Sequence, residues 1–121
     1  MGKIFLKIAV VYFSIGVLLG MTMGIIHDFR LTSVHAHVNL LGWVSSALFG
    51  LIYSVYPFAA NTKLAKTHFW LHNIGLPVMM IGLVCESFGI AAALPVMIVG
   101  SLAVVVGTLL FTTNVFKMIK K

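Results

Sequence analysis

Four long stretches of this chain, residues 4–26, 34–57, 68–88 and 91–116, hold only two charged side chains between them, Lys7 and Glu86. Each is long enough to cross a hydrocarbon core of about 30 Å, which takes roughly 20 residues of helix. Lipid offers no hydrogen bonds to a bare backbone, so such a chain must satisfy its amides within helices or a closed barrel. Continuous apolar runs of this length, without alternation at every second residue, predict helices. The expected fold is all-α: one integral membrane domain over residues 1–121, built as an antiparallel four-helix bundle. A water-soluble domain is excluded, because 8% of the residues are charged where soluble chains run near 25%. The first stretch is too long for a cleaved signal peptide and lacks a small-residue cleavage site.

The lysines orient the bundle. Lys3 and Lys7 open the chain, Lys63 and Lys66 separate the second and third stretches, and Lys117, Lys120 and Lys121 close it. An antiparallel layout collects all of them on one side and leaves Arg30 on the other. The positive-inside rule then places both termini in the cytoplasm. The net charge of +6 is accounted for by topology and attraction to anionic lipid, so no nucleic-acid partner is implied. The single cysteine, Cys85, rules out an intrachain disulfide.

Ionisable and ligand-type side chains inside a membrane are costly, and their positions mark functional hypotheses. The densest group opens the second stretch: His35, His37 and Asn39, followed by Gly42 and Trp43. On a regular helix His35, Asn39, Gly42, Ser46, Gly50 and Tyr53 share one stripe, and His37 points about 200° away from His35. The two histidines therefore face different neighbours. Topology adds Met21, Met23, His27, Asp28, Cys85 and Glu86 at the same outer end. His68 and His72 fall at the inner boundary, beside Lys66, and read as interfacial histidines or as a metal-binding pair at i, i+4 spacing. A helix from His68 to Glu86 rises roughly 27 Å, so His37 and His72 of one subunit are too distant to share a haem.

The pattern His37-x-Asn39-Leu40-Leu41, continued by Gly50, Tyr53 and Pro57, resembles the second transmembrane helix of the catalytic subunit of nitric oxide reductases and related haem–copper oxidases. Short four-helix membrane proteins with the same HAHxNLLGW signature are also similar. The resemblance implies that His37 is an axial ligand of haem b, with His35 or His27 as further candidate ligands from the same or a neighbouring subunit. It implies electron transfer, or redox or gas sensing, near the outer face of a bacterial cytoplasmic membrane, together with a redox partner protein. This chain has four stretches where that subunit has twelve helices, and lacks counterparts of its remaining ligands, so a complete oxidase or reductase is not implied.

Two other readings stand beside this one. Met21, Met23, His27, His35, His37 and Cys85 offer thioether, imidazole and thiolate donors suited to a copper-handling protein, and Glu86 is a further candidate metal ligand. A purely structural subunit would need only the small-residue faces Gly16–Gly20–Gly24 and Gly42–Ser46–Gly50, which let helices approach closely in lipid. Those faces, with the three arcs of four helices in the resembling subunit, also predict a homotrimer. Cyclic closure would cover each such surface once.

Overall fold

The computed structural model describes residues 1–120; Lys121, counted above among the terminal lysines, lies outside them. Among the described residues all regular structure is helical. Helix α1 covers Gly2–Ile26. The second span starts as α2, Thr32–His37, widens into a π-helical segment, Val38–Ser45, and finishes as α3, Ser46–Val55. A short turn of helix, α4 (Pro57–Ala60), leads to α5, Lys63–Ser87. A 3₁₀ turn, Ala91–Ala93, then opens α6, Leu94–Met118. Four runs, Gly2–Ile26, Thr32–Val55, Lys63–Ser87 and Ala91–Met118, are long and apolar enough to cross a membrane.

Local chemistry explains where the boundaries depart from expectation. The third span begins at Lys63 rather than at residue 68, because Thr62 caps it: its Oγ1 accepts the Ala65 N–H at 3.0 Å. That hydrogen bond satisfies one of the free amides of a helix start. Lys63 and Lys66 stand on this first turn, where their long stems let the ammonium groups reach out of the apolar layer. The polar connection expected from residue 58 to residue 67 is correspondingly shorter, and Pro57 occupies the first turn of α4, where a missing N–H costs nothing. Within the spans, hydroxyls bond back to carbonyls one turn earlier, as Ser14 does to Val10 at 3.0 Å and Ser101 to Met97 at 2.7 Å. Such bonds give these Ser and Thr hydroxyls a partner in an apolar surround.

Glycines set the packing. Antiparallel pairing lays α1 on the second span, with Gly16 against Asn39, Gly20 against His35, Tyr12 against Gly42, and Gly2 beside Gly50. The third and fourth spans meet at Gly75, Gly82 and Gly100, where a Cβ on Gly100 would sit 2.7 Å from the Met79 Cα and 2.8 Å from the Gly75 carbonyl. The two hairpins join through the second span and α5, around one core of Phe5, Phe49, Tyr53, Ala59, Ala60 and Ala65, and a second core that includes Val38, Leu76, Met79 and Val104. Outward, every span presents large apolar side chains, among them Leu18, Leu40, Ile81 and Val99 at 59–63% exposure. A surface of that kind is compatible with contact to a lipid bilayer.

The small-residue faces expected to meet other subunits meet their own chain instead. Gly16, Gly20, Gly42 and Gly50 pack inside the α1 hairpin, Ser46 faces α5, and of that set only Gly24 has open space above it. The surfaces that supported a homotrimer are thus already occupied within one subunit.

At the end opposite the lysines, Arg30 grips Asp28 through Nη2 to Oδ2 at 2.6 Å and Nε to Oδ1 at 3.0 Å. Its guanidinium also lies 4.6 Å from the centre of the Phe88 ring, tying the loop after α1 to the end of α5. The hydrogen bonds from Arg30 hold the Asp28 carboxyl down at about 2. A folded value below the ordinary one contributes stability above the usual carboxylate range and loses it as pH falls through about 2. Carboxyl-detected NMR in micelles should therefore show Asp28 titrating near 2 in the intact protein. Arg30→Gln should return the midpoint to about 4; an ordinary midpoint in the intact protein would mean the clasp does not hold.

Candidate functional site

The two histidines of the HAH motif part company, as their spacing requires. His35 lies flat on Gly20 of α1, and the Asn39 amide, itself lodged against Gly16, lies 3.3 Å from its Nδ1. Asn39 is fixed in turn by donating to the His35 carbonyl at 3.0 Å. The tandem glycines of α1 are thus the seats of a histidine and an asparagine, which only a missing side chain makes room for.

His37 faces the other way. Its Nδ1–H donates to the Ser33 carbonyl at 2.7 Å. A carbonyl only accepts, so Nδ1 holds the proton and, in the neutral ring, Nε2 keeps a bare lone pair. The ring lines a cleft of about 390 Å³ between the second and fourth spans, walled by Leu41, Val104 and Val105, with Met79 of α5 at its floor and Ser101 at its side. That volume lies within the range of small-molecule sites. An imidazole tied by one nitrogen to a carbonyl and free at the other is the usual state of a histidine that ligates a metal. The Ser33 carbonyl orients the ring, and Glu86, a candidate metal donor in the sequence, is exposed.

The stripe drawn on a regular helix splits at the π segment. His35, Asn39, Gly42 and Gly50 face α1, whereas Ser46 and Tyr53 face α5. Wider turns bond five residues back, and the hydroxyls follow: Ser45 donates to Leu40 at 2.8 Å and Ser46 to Leu41 at 3.2 Å. The Leu41 carbonyl also accepts from His72 Nε2–H at 3.2 Å, and the same nitrogen is 3.1 Å from Ser46 Oγ.

His72 and His68 are therefore not interfacial. Both are buried, at 1% and 0% exposure, in the core of the bundle. His68 Nδ1 shares a hydrogen bond of 2.9 Å with the Tyr53 hydroxyl. Phe5 stacks on His68 at 5.5 Å, and Phe49 meets both rings edge-on, at 4.4 Å from His68 and 5.2 Å from His72. Nearby, Asn114 is buried and donates to the Ala59 carbonyl at 2.8 Å, while Thr62 donates to its Oδ1 at 2.8 Å. Proximity to Lys66 suggested a boundary position for the pair; the periodicity already spoke for burial, since His68 and His72 continue the seam of Gly75, Met79 and Gly82. His72 sits beside Leu41, about one turn along the second span from His37, which is nearer than the rise of α5 implied.

The remaining expected donors stay apart. Met21 is 56% exposed, Met23 is buried, and Cys85 is half-buried. His27 is exposed and ends α1 with a left-handed φ of 50°. Among the described residues no group of three or more His, Cys, Asp or Glu side chains gathers in a way that would hold a metal ion. Comparison with family models, characterised proteins and solved structures finds no match to this chain.

Proposed function

We propose that this chain is a membrane haem b protein in which His37 is an axial ligand and the cleft beside it receives the porphyrin. The observation that carries the reading is the His37 ring itself, oriented by the Ser33 carbonyl and bordering an apolar cleft with its second nitrogen free. The motif resemblance points to the same residue. Haem b bound there would supply a one-electron carrier inside the membrane. The chain's part is to hold the imidazole in one tautomer, to exclude water with Leu41, Val104 and Val105, and to seat the ring against Met79.

The same proposal places the site near the outer face, with both termini cytoplasmic, and gives the protein an electron-transfer or redox-sensing role with a partner protein. A second axial ligand from a neighbouring copy is consistent with the half-buried position of His37. The homotrimer belongs to this proposal and now rests on helix number, four spans against the resembling subunit's twelve, rather than on glycine faces. Nothing in the arrangement favours the copper-handling alternative at Met21, Met23, His35 and Glu86.

The absorption spectrum and metal content of protein purified in mild detergent test the reading. The expected result is a red protein with a Soret band, iron in proportion to chain, and sharpened visible bands on reduction. Colourless, iron-free protein from cells supplied with haem would overturn it.

A further inference from the structure

The haem proposal leaves His68 and His72 without a role, and two of their atoms without a partner. Both rings are essentially inaccessible, yet His68 Nε2 and His72 Nδ1 make no hydrogen bond. Each buried unpaired polar atom of this kind is destabilising unless something occupies it. The opposite nitrogens are both anchored, His72 Nε2 to the Leu41 carbonyl and Ser46, and His68 Nδ1 to Tyr53. Because a carbonyl only accepts, Nε2 of His72 carries the proton and its Nδ1 is a bare lone pair. When His68 Nδ1–H donates to the Tyr53 oxygen, His68 Nε2 is a bare lone pair as well.

These are two imidazoles prepared as ligating histidines usually are, with the far nitrogen bonded and the near one free. Their ring centres are 6.0 Å apart. Two nitrogens held about 2 Å from one ion at a wide angle are about 4 Å apart, which brings ring centres to about 6 Å. Phe5, Phe49, Phe111, Tyr53 and Ser46 pack on the pair, and none of them carries a charge. The one carboxylate within a span, Glu86, is exposed near the far end of α5. With no anion at hand, the ion's own charge decides its identity. Desolvation scales with charge squared, so a divalent ion would cost about four times a monovalent one here. Copper in its monovalent state accepts two neutral imidazoles in near-linear coordination and needs no third ligand.

We propose that His68 and His72 form a buried two-histidine site for a monovalent copper ion, separate from the cleft at His37. Tyr53 and Ser46 are its positioning residues, fixing the ring tautomers that leave the two lone pairs free. The ion binds without a redox step, and without proton release in the tautomers in which His72 Nε2–H donates to Leu41 and His68 Nδ1–H donates to Tyr53. Phe49, edge-on to both rings, closes the site against water.

The test adds Cu(I) anaerobically to the purified full-length protein in detergent, against a chromophoric Cu(I) chelator as competitor. One copper per chain is expected, with X-ray absorption showing nitrogen donors and no sulfur, and with any haem spectrum unchanged. His68→Phe and His72→Phe should each abolish retention while filling the cage with a ring of similar size. Tyr53→Phe, which keeps the aromatic packing, should weaken binding about 10–100-fold, as loss of an orienting partner does. Met21→Ala and Cys85→Ser should bind as the parent does. No retention by the parent protein, sulfur scattering at the bound copper, or copper retained by the His68/His72 double variant would each overturn the proposal. Should a histidine variant fail to fold, the parent spectrum and Tyr53→Phe still decide it.

Discussion

His37→Ala abolishes the haem absorption of the purified protein, while His72→Phe leaves it in place. This is the expected result of the proposed ligation and the largest effect on function. The His37 ring alone combines a carbonyl-anchored Nδ1 with a border on the cleft between the second and fourth spans. An alanine there leaves the apolar walls intact but would remove the proposed bond between the chain and the iron. His72 points away from that cleft into the aromatic core, and phenylalanine replaces its volume there. Absorption spectra of the two variants, with melting followed by circular dichroism, separate ligation from folding. A six-coordinate spectrum retained by His37→Ala would remove the basis of the function proposed here.

Gly100→Leu should produce the largest loss of stability. At this crossing a Cβ would lie 2.7 Å from the Met79 Cα and 2.8 Å from the Gly75 carbonyl, so the neighbours are main chain and have no rotamer to escape into. Overpacking costs about 1–3 kcal/mol where side chains can adjust, and the upper end or more is expected where they are not the obstacle. Gly20→Leu meets the His35 ring, which can turn, and should cost less. Gly24→Leu, with nothing within 4 Å, should be close to neutral. Denaturant unfolding in micelles ranks the three; equal stabilities would mean that the third and fourth spans do not meet at Gly100.

The number of the spans was legible because lipid imposes a single solution on long apolar runs. Opposed directions for His35 and His37 were legible too, since they follow from helical geometry over two residues. The function of the glycines was not. Spacing marks a glycine face as a place of close approach, but whether the partner is another copy or the next span depends on side chains such as Asn39, His35 and Tyr12. His68 was misplaced for a related reason: Lys66 and Thr67 resemble a boundary, whereas the Thr62 cap starts the helix a full turn earlier and carries His68 inside. Its partners, Phe5, Tyr53 and Phe111, come from three different spans. Gly42 weakens a regular helix but does not prescribe a wider turn, so the π segment had no specific local signature.

That segment makes the second span a splice between two surfaces. Upstream of it the chain addresses α1 and the cleft through His35, Asn39 and His37; downstream it keeps Gly50 on α1 and adds α5 through Ser46 and Tyr53. One residue on a regular helix corresponds to a rotation of 100°. If Val38–Ser45 tightened to regular turns at unchanged length, the upstream half would swing against the downstream half by about that angle or more. His37 would leave the cleft although neither it nor any wall residue had changed. The winding of this segment, rather than any side chain in it, sets the azimuth at which the motif meets the rest of the bundle.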